Sequence, residues 1–423
     1  MKKNLLALAL ASAVAMSFST TSAAYTLGTT GDNTFFTNIS AVYYNAYKNS
    51  VTKAQDTKEK TSRTAYSQNA LQLNFGLGLN GRIDSIEVGA YYAFEKTFAA
   101  RRTFSYNYVT QAHSADEYTY DHYSPYVSDA WVYFGNKEYA TLYLGYYGLK
   151  DAANQYQLAN PTTYVRGTTT AFDTVNRFSL DHRDLTTLAS LPSDSDNSVH
   201  GGLTSKFGVN YRALRLDSTF NRPGHLFSFS YADTRNTQNK TAGNSYEQQT
   251  ALVYSYTFAQ RYTLGVTGSF QRLARPTNGN SGKIGENKSR SVDLFANVYA
   301  YKSDDNYVKV AGSYGRAKSH YPYSSTQDLK RKYTAYNLYT EVNFGRYSGS
   351  LGYSQVKEKL TYNGDVEYRK EKTFFATSYV TLYSKRSLSF YTGAEASVTK
   401  YAAREAASEY SYKRVAGVLG AKF

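Results

Sequence analysis

Residues 291–314 read SVDLFANVYAYKSDDNYVKVAGSY. Val292, Leu294, Ala296, Val298 and Ala300 fall on one face of an extended chain and Asp293 and Asn297 on the other, because successive side chains of a strand point to opposite faces. KSDD, residues 302–305, is turn chemistry. The alternation then restarts, with Val308, Val310, Gly312 and Tyr314 opposite Lys309 and Ser313. The stretch therefore reads as a hairpin whose charged residues sit in mid-strand behind a full apolar face. A sandwich with a dry core has no place for them, whereas a membrane barrel with a wet lumen does.

The pattern recurs along the chain. In LVYSYTF, 252–258, Leu252, Tyr254, Tyr256 and Phe258 align; in AYNLYTEVNF, 335–344, Tyr336, Leu338, Val342 and Phe344 oppose Asn337, Glu341 and Asn343. In HLFSFSYA, 225–232, Phe227, Phe229 and Tyr231 share a face, and in RSLSFYTGAEASV, 386–398, Leu388, Phe390, Ala394, Ala396 and Val398 oppose Glu395. Strands are expected near 35–46, 68–79, 84–95, 126–135, 139–147, 203–213, 225–233, 246–258, 262–273, 289–301, 306–315, 333–344, 347–357, 371–383, 386–398 and 409–423. That makes about sixteen, an even number of roughly 10-residue strands, as a single-chain outer-membrane barrel requires. Short polar connections (80–82, 136–138, 259–261, 302–305, 345–346, 384–386) alternate with long ones (96–125, 148–202, 274–288, 316–332, 358–370). Short periplasmic turns on one rim and long extracellular loops on the other are the asymmetry of such a barrel. A soluble propeller is the alternative, but no blade motif repeats at a fixed period. The predicted fold class is all-β, a transmembrane antiparallel β-barrel of about sixteen strands.

Composition agrees. The 423 residues include 45 Tyr, 22 Phe and 29 Gly but 6 Pro, 2 Met and no Cys, which favours strands and aromatic girdles and removes disulfides and thiol catalysis. Mean hydropathy is −0.55; this value misleads for a barrel, because lipid-facing and lumen-facing residues average out. Residues 1–24 pair Lys2 and Lys3 with an apolar run from Leu5 to Met16 and small residues at Ser22, Ala23 and Ala24. This is the pattern of a cleaved secretory signal, with the barrel domain expected over 25–423. The net charge of +15 becomes +13 without Lys2 and Lys3. In an exported protein nucleic acid is not the natural partner of that charge; anionic lipopolysaccharide or anionic solutes are.

Two segments carry a family resemblance. DAWVYFGNKEYATLYLGYYGLKDAANQY, 129–156, resembles the hairpin leading into the third loop of the general trimeric porins of Gram-negative bacteria, and SDSDNSVHGGLTSKFGVNY, 193–211, resembles the exit from that loop. Two departures stand out: Tyr146 follows Leu144 and Gly145 where the family commonly has arginine, and the enterobacterial Pro-Glu-Phe-Gly-Gly tip is absent. The resemblance implies a homotrimer in outer-membrane lipid, inserted by the barrel-assembly machinery and passing small hydrophilic solutes and ions. It also implies that 148–202 folds into the lumen, where Arg166, Asp173, Arg177, Asp181, Arg183 and Asp184 are candidate constriction residues. Opposed acidic and basic groups across a constriction order water and penalise apolar solutes.

Strand parity adds Arg212, Lys309, Glu341 and Glu395 as lumen-wall candidates, with Glu87 on the same argument. Inward Tyr91, Tyr299 and Tyr339 would make a stacking track for sugars, a saccharide-preferring channel. An outer-membrane adhesin acting through its long loops is the third reading. The six His show no paired zinc spacing, and SDSDNS has Val199 where a calcium loop needs glycine. No catalytic residue, metal site or cofactor is therefore assigned. The ending VAGVLGAKF alternates Val415, Leu419 and Ala421 with the wet-side Lys422 and stops on Phe423. The resemblance makes that aromatic an assembly signal, whose deletion is expected to impair insertion while leaving the conductance of assembled trimers unchanged. The sign of ion selectivity stays open, because loop charges outside a lumen dominate a net total.

Overall fold

A computed structural model describes residues 25–422 except 31, 55–56, 114–116, 123–125, 137–138, 148–211, 237–244, 277–283, 304–305, 323–327, 363, 386–387 and 404–407. The expected leader 1–24, the segment 148–202 with its six constriction candidates, and Phe423 all lie outside the described residues. The strands are β1 (Tyr25–Thr30), β2 (Asn33–Ala54), β3 (Lys60–Ile83), β4 (Ile86–Asn107), β5 (Ala112–His113), β6 (Glu117–His122), β7 (Tyr126–Asn136), β8 (Ala140–Tyr147), β9 (Arg212–Ser218) and β10 (His225–Asn236). They continue as β11 (Ser245–Phe258), β12 (Tyr262–Pro276), β13 (Ile284–Ser303), β14 (Asn306–Pro322), β15 (Asp328–Phe344), β16 (Tyr347–Tyr362), β17 (Asp365–Lys385), β18 (Leu388–Ala403) and β19 (Ser408–Lys422).

All are antiparallel members of one sheet. β2, β3 and β4 pair in series, β4 pairs with β7, and each strand from β7 to β19 pairs with the next. β19 then pairs with β2 from Ser408 opposite Ala54 to Lys422 opposite Ser40, closing the circuit. Of the 19 strands among the described residues, β1, β5 and β6 lie outside this circuit, which leaves sixteen described strands in the wall. β1 pairs with the foot of β2, while β5 and β6 pair with the upper half of β4.

The polarity of the wall is inverted relative to a soluble protein. Leu351 is 68% exposed, Leu338 60% and Phe374 60%, whereas Arg331 is 0% exposed and Glu395 1%. On β15 the outward row runs Phe344, Val342, Thr340, Leu338, Tyr336; the inward row runs Glu341, Tyr339, Asn337, Ala335, Tyr333, Arg331. Only a solvent that is apolar outside the wall makes that arrangement favourable, and closure leaves no strand edge to face it. From Phe344 to Tyr336 is one bilayer crossing, since a tilted strand needs about 9–11 residues.

Inward aromatic rings are accommodated by glycine. A Cβ on Gly352 would come within 2.5 Å of both the Phe375 ring and Tyr339 Cβ, its directly opposite neighbours on the two flanking strands. Gly420 stands in the same relation to Tyr391 and Gly265 to Phe295. The missing side chain lets each ring lie flat on the wall.

On the turn rim Ala259 and Gln260 both take positive φ (50° and 54°), the conformation a tight hairpin needs although these residue types disfavour it. The other rim differs from expectation. Much of the expected loops 96–125, 274–288, 316–332 and 358–370 is strand, because β4, β12 to β17 and the short β6 run on above the apolar band. Above the membrane both faces of a hairpin are wet, so the hydrophobic period vanishes while the backbone ladder persists.

Candidate functional site: the inward wall

The inward face divides into two arcs. On β13 to β18 it is charged. Lys309 and Glu341 are directly opposite across β14 and β15 and form an ion pair at 3.1 Å. The Tyr307 hydroxyl donates to Glu341 Oε1 at 2.6 Å, and Lys309 Nζ sits 5.7 Å from the Tyr339 ring centroid. Tyr299 meets Tyr307 edge to face at 5.6 Å. At mid-height the Tyr379 hydroxyl donates to Glu395, and Thr267 donates to Asp293 at 3.2 Å. Higher up, Glu358 lies between Arg331 at 3.6 Å and Arg369 at 3.9 Å, and Arg369 also pairs with Glu367.

The opposite arc is aromatic. Tyr91 on β4, Trp131 and Tyr133 on β7 and Tyr143 on β8 form a contiguous inward cluster with centroid separations of 5.5, 6.2, 6.1 and 5.6 Å. Phe36 on β2 stacks on Tyr91 at 6.2 Å. The Arg215 guanidinium caps the cluster 4.0 Å from the Tyr143 ring and pairs with Asp217 at 3.2 Å. This end lies toward the short turns, where the Tyr133 hydroxyl donates to Asn80 at 3.0 Å.

Lys309, Glu341 and Glu395 therefore stand on the inward rows, as parity suggests, and the first two touch. Arg212 is different. It begins β9, but its side chain lies outside the described ones; the described inward arginine of β9 is Arg215, which is buried with Ala213. Of the expected strand 203–213, residues 203–211 lie outside the described residues. Glu87 lies on the inward row of β4 with Tyr91. Tyr299 and Tyr339 share the Lys309 cluster, but Tyr91 is on the opposite wall, so these three tyrosines form no single track. Sequence reading missed Arg331, Glu358 and Arg369, hidden in segments taken for loops, and Trp131, whose alternation with Val132 and Phe134 was a usable signal.

No family model matches the chain, and no curated protein matches it in sequence. Solved structures do. The outer membrane channel DcaP of Acinetobacter baumannii superposes with a TM-score of 0.52 over 92% of this chain and 97% of its own, at 10% identity. Outer-membrane expressed OmpT of Vibrio cholerae gives 0.50 over 93% and 100%, also at 10% identity. The fold is that of an outer-membrane porin. At such identity the porin fold is what is shared. An anion-selective porin from Comamonas acidovorans aligns over 91% of this chain with a TM-score of 0.46 at 10% identity.

Proposed function

We propose that the protein is a passive outer-membrane diffusion channel for small hydrophilic solutes and ions, acting as a homotrimer without catalysis or cofactor. The observation that supports this reading best is a closed wall with apolar residues outside and ion-paired polar rows inside, which suits a wet interior. In planar bilayers the purified protein is expected to give ohmic single-channel steps; membranes that stay silent after verified insertion would rule the reading out.

The inward arc of β13 to β18 also supports a sign for selectivity. Its described charges are the carboxylates of Asp293, Glu341, Glu358, Asp365, Glu367, Glu371 and Glu395 against Lys302, Lys309, Arg331 and Arg369, seven against four. Net negative lining favours cations, although the chain as a whole carries +15. A reversal potential in a salt gradient is expected to show cation preference, weakened in Glu341→Gln; anion preference would overturn the assignment. The segment 148–202, proposed as the constriction with Arg166, Asp173, Arg177, Asp181, Arg183 and Asp184, sets conductance in this reading. A second reading, a saccharide-preferring channel, draws on the inward cluster of Tyr91, Trp131 and Tyr143, since ring faces stack on apolar sugar faces. Saturable block of conductance by a sugar separates the two.

A further inference from the structure

The inner wall holds its aromatic rings in two ways. On the charged arc Phe295, Phe375, Tyr379 and Tyr391 lie over glycines of neighbouring strands and are buried. On the aromatic arc Phe36 lies over Gly78, Tyr91 over Gly76 and Tyr133 over Gly89, yet these rings stay partly exposed, as do Trp131 and Tyr143 beside them. A ring laid flat on the wall keeps one face for the lumen. Phe36 and Tyr91 are within 12° of coplanar, Tyr91 stands directly opposite Trp131, and Tyr133 directly opposite Tyr143. With their centroids 5.5–6.2 Å apart, the rings tile one continuous surface across several strands. Holding apolar faces toward water is unfavourable, and the buried rings of the other arc show that the fold does not require it.

Two observations make the occupant of this surface a flat cation. The surface already carries one: the Arg215 guanidinium stands opposite Tyr143 and lies 4.0 Å from its ring centroid, as a stacked planar group does. Its charge is met by Asp217 at 3.2 Å, and nearer the turns Arg82 stands opposite Glu87, so the described charges beside the rings balance. The second observation is the arc across the lumen, where carboxylates outnumber cations and draw positive solutes inward. Small inorganic cations hold their water and gain little from a ring face, whereas a planar group with delocalised charge is weakly hydrated and lies flat on it.

We propose that Phe36, Tyr91, Trp131, Tyr133 and Tyr143 form a stacking site for planar organic cations of the guanidinium type, at the turn end of the lumen. The inference rests on the channel reading and its cation preference, and it assigns the aromatic arc to a ligand other than a sugar.

Trp131 is the one tryptophan of the chain, so its fluorescence reports on the site alone. Purified full-length protein in non-ionic detergent is titrated at constant ionic strength with four probes. These are methylguanidinium, its neutral planar isostere methylurea, the non-planar cation tetramethylammonium, and methyl glucoside. Methylguanidinium is expected to change the emission saturably, while methylurea and methyl glucoside leave it unchanged and tetramethylammonium binds several times more weakly. Tyr91→Leu should weaken methylguanidinium binding on the order of tenfold, and Tyr91→Phe, which keeps the ring face, should stay within about twofold of wild type. If Tyr91→Leu does not fold, methylguanidinium against methylurea on the wild type decides by itself. The absence of a saturable methylguanidinium response, an equal response to any of the other three probes, or undiminished binding by folded Tyr91→Leu would each overturn the proposal. Single-channel recording keeps it apart from the channel reading: ohmic steps without a Trp131 response rule out only the stacking site, and a Trp131 response in protein that forms no pore rules out only the channel.

Discussion

Glu358 carries the charged side of the wall at the scale of single residues. It is 4% exposed, and its carboxylate is shared by Arg331, itself fully buried, and Arg369. Removing one partner of a buried pair costs far more than the pair contributes net, because the remaining charge has lost compensation that water cannot replace. Glu358→Gln is accordingly expected to destabilise the barrel by about 3 kcal/mol, seen as a lower urea midpoint for the folded-to-unfolded gel shift, while Glu367→Gln, nearer solvent, should cost less. An unchanged midpoint for both would mean that the pairs are solvated. Lys309, Glu341 and Glu395 were legible in the sequence because each interrupts a clean apolar alternation inside the membrane band. Arg331, Glu358 and Arg369 were not, because their flanking residues, in DLKRKY, KEKL and RKEK, are polar on both faces.

Among elements, the hairpins are decided by two different signals at two heights. Within the apolar band the period of two is enough to place strands, and the turn GR follows from its glycine, Gly345 taking positive φ. Above it β13 and β17 reach 20 and 21 residues, and only pairing to neighbours keeps them extended. Glycine under an aromatic ring is the local device that lets these strands pack closely on the inside. Gly352→Val is therefore expected to force Tyr339 and Phe375 off the wall and to cost about 1–3 kcal/mol, read as a lower thermal midpoint and slower refolding into micelles. Gly417→Ala is its control, because nothing lies within 4 Å of the Cβ position there. If both variants melt alike, strand propensity rather than ring packing is responsible.

Closure belongs to the whole molecule, and it joins the ends of the chain. Ala46 on β2 and Ala416 on β19 are directly opposite and buried on the inward face, a spacing of about 4.5–5.5 Å that a disulfide spans. Because the chain has no cysteine, Ala46→Cys/Ala416→Cys introduces the two thiols alone. Oxidation is expected to give a covalent loop with altered gel mobility even after boiling, reversed by reductant; failure to oxidise in folded protein would contradict the closing register. By itself the sequence determined that the chain forms about sixteen antiparallel strands with a lipid-facing and a wet face, because a period of two is a property of each strand alone. Only the tertiary structure decided which charges meet. Ion pairs such as Arg331 with Glu358 and the rings over glycine both depend on inter-strand register, and register is set by neighbours, not by the strand's own residues.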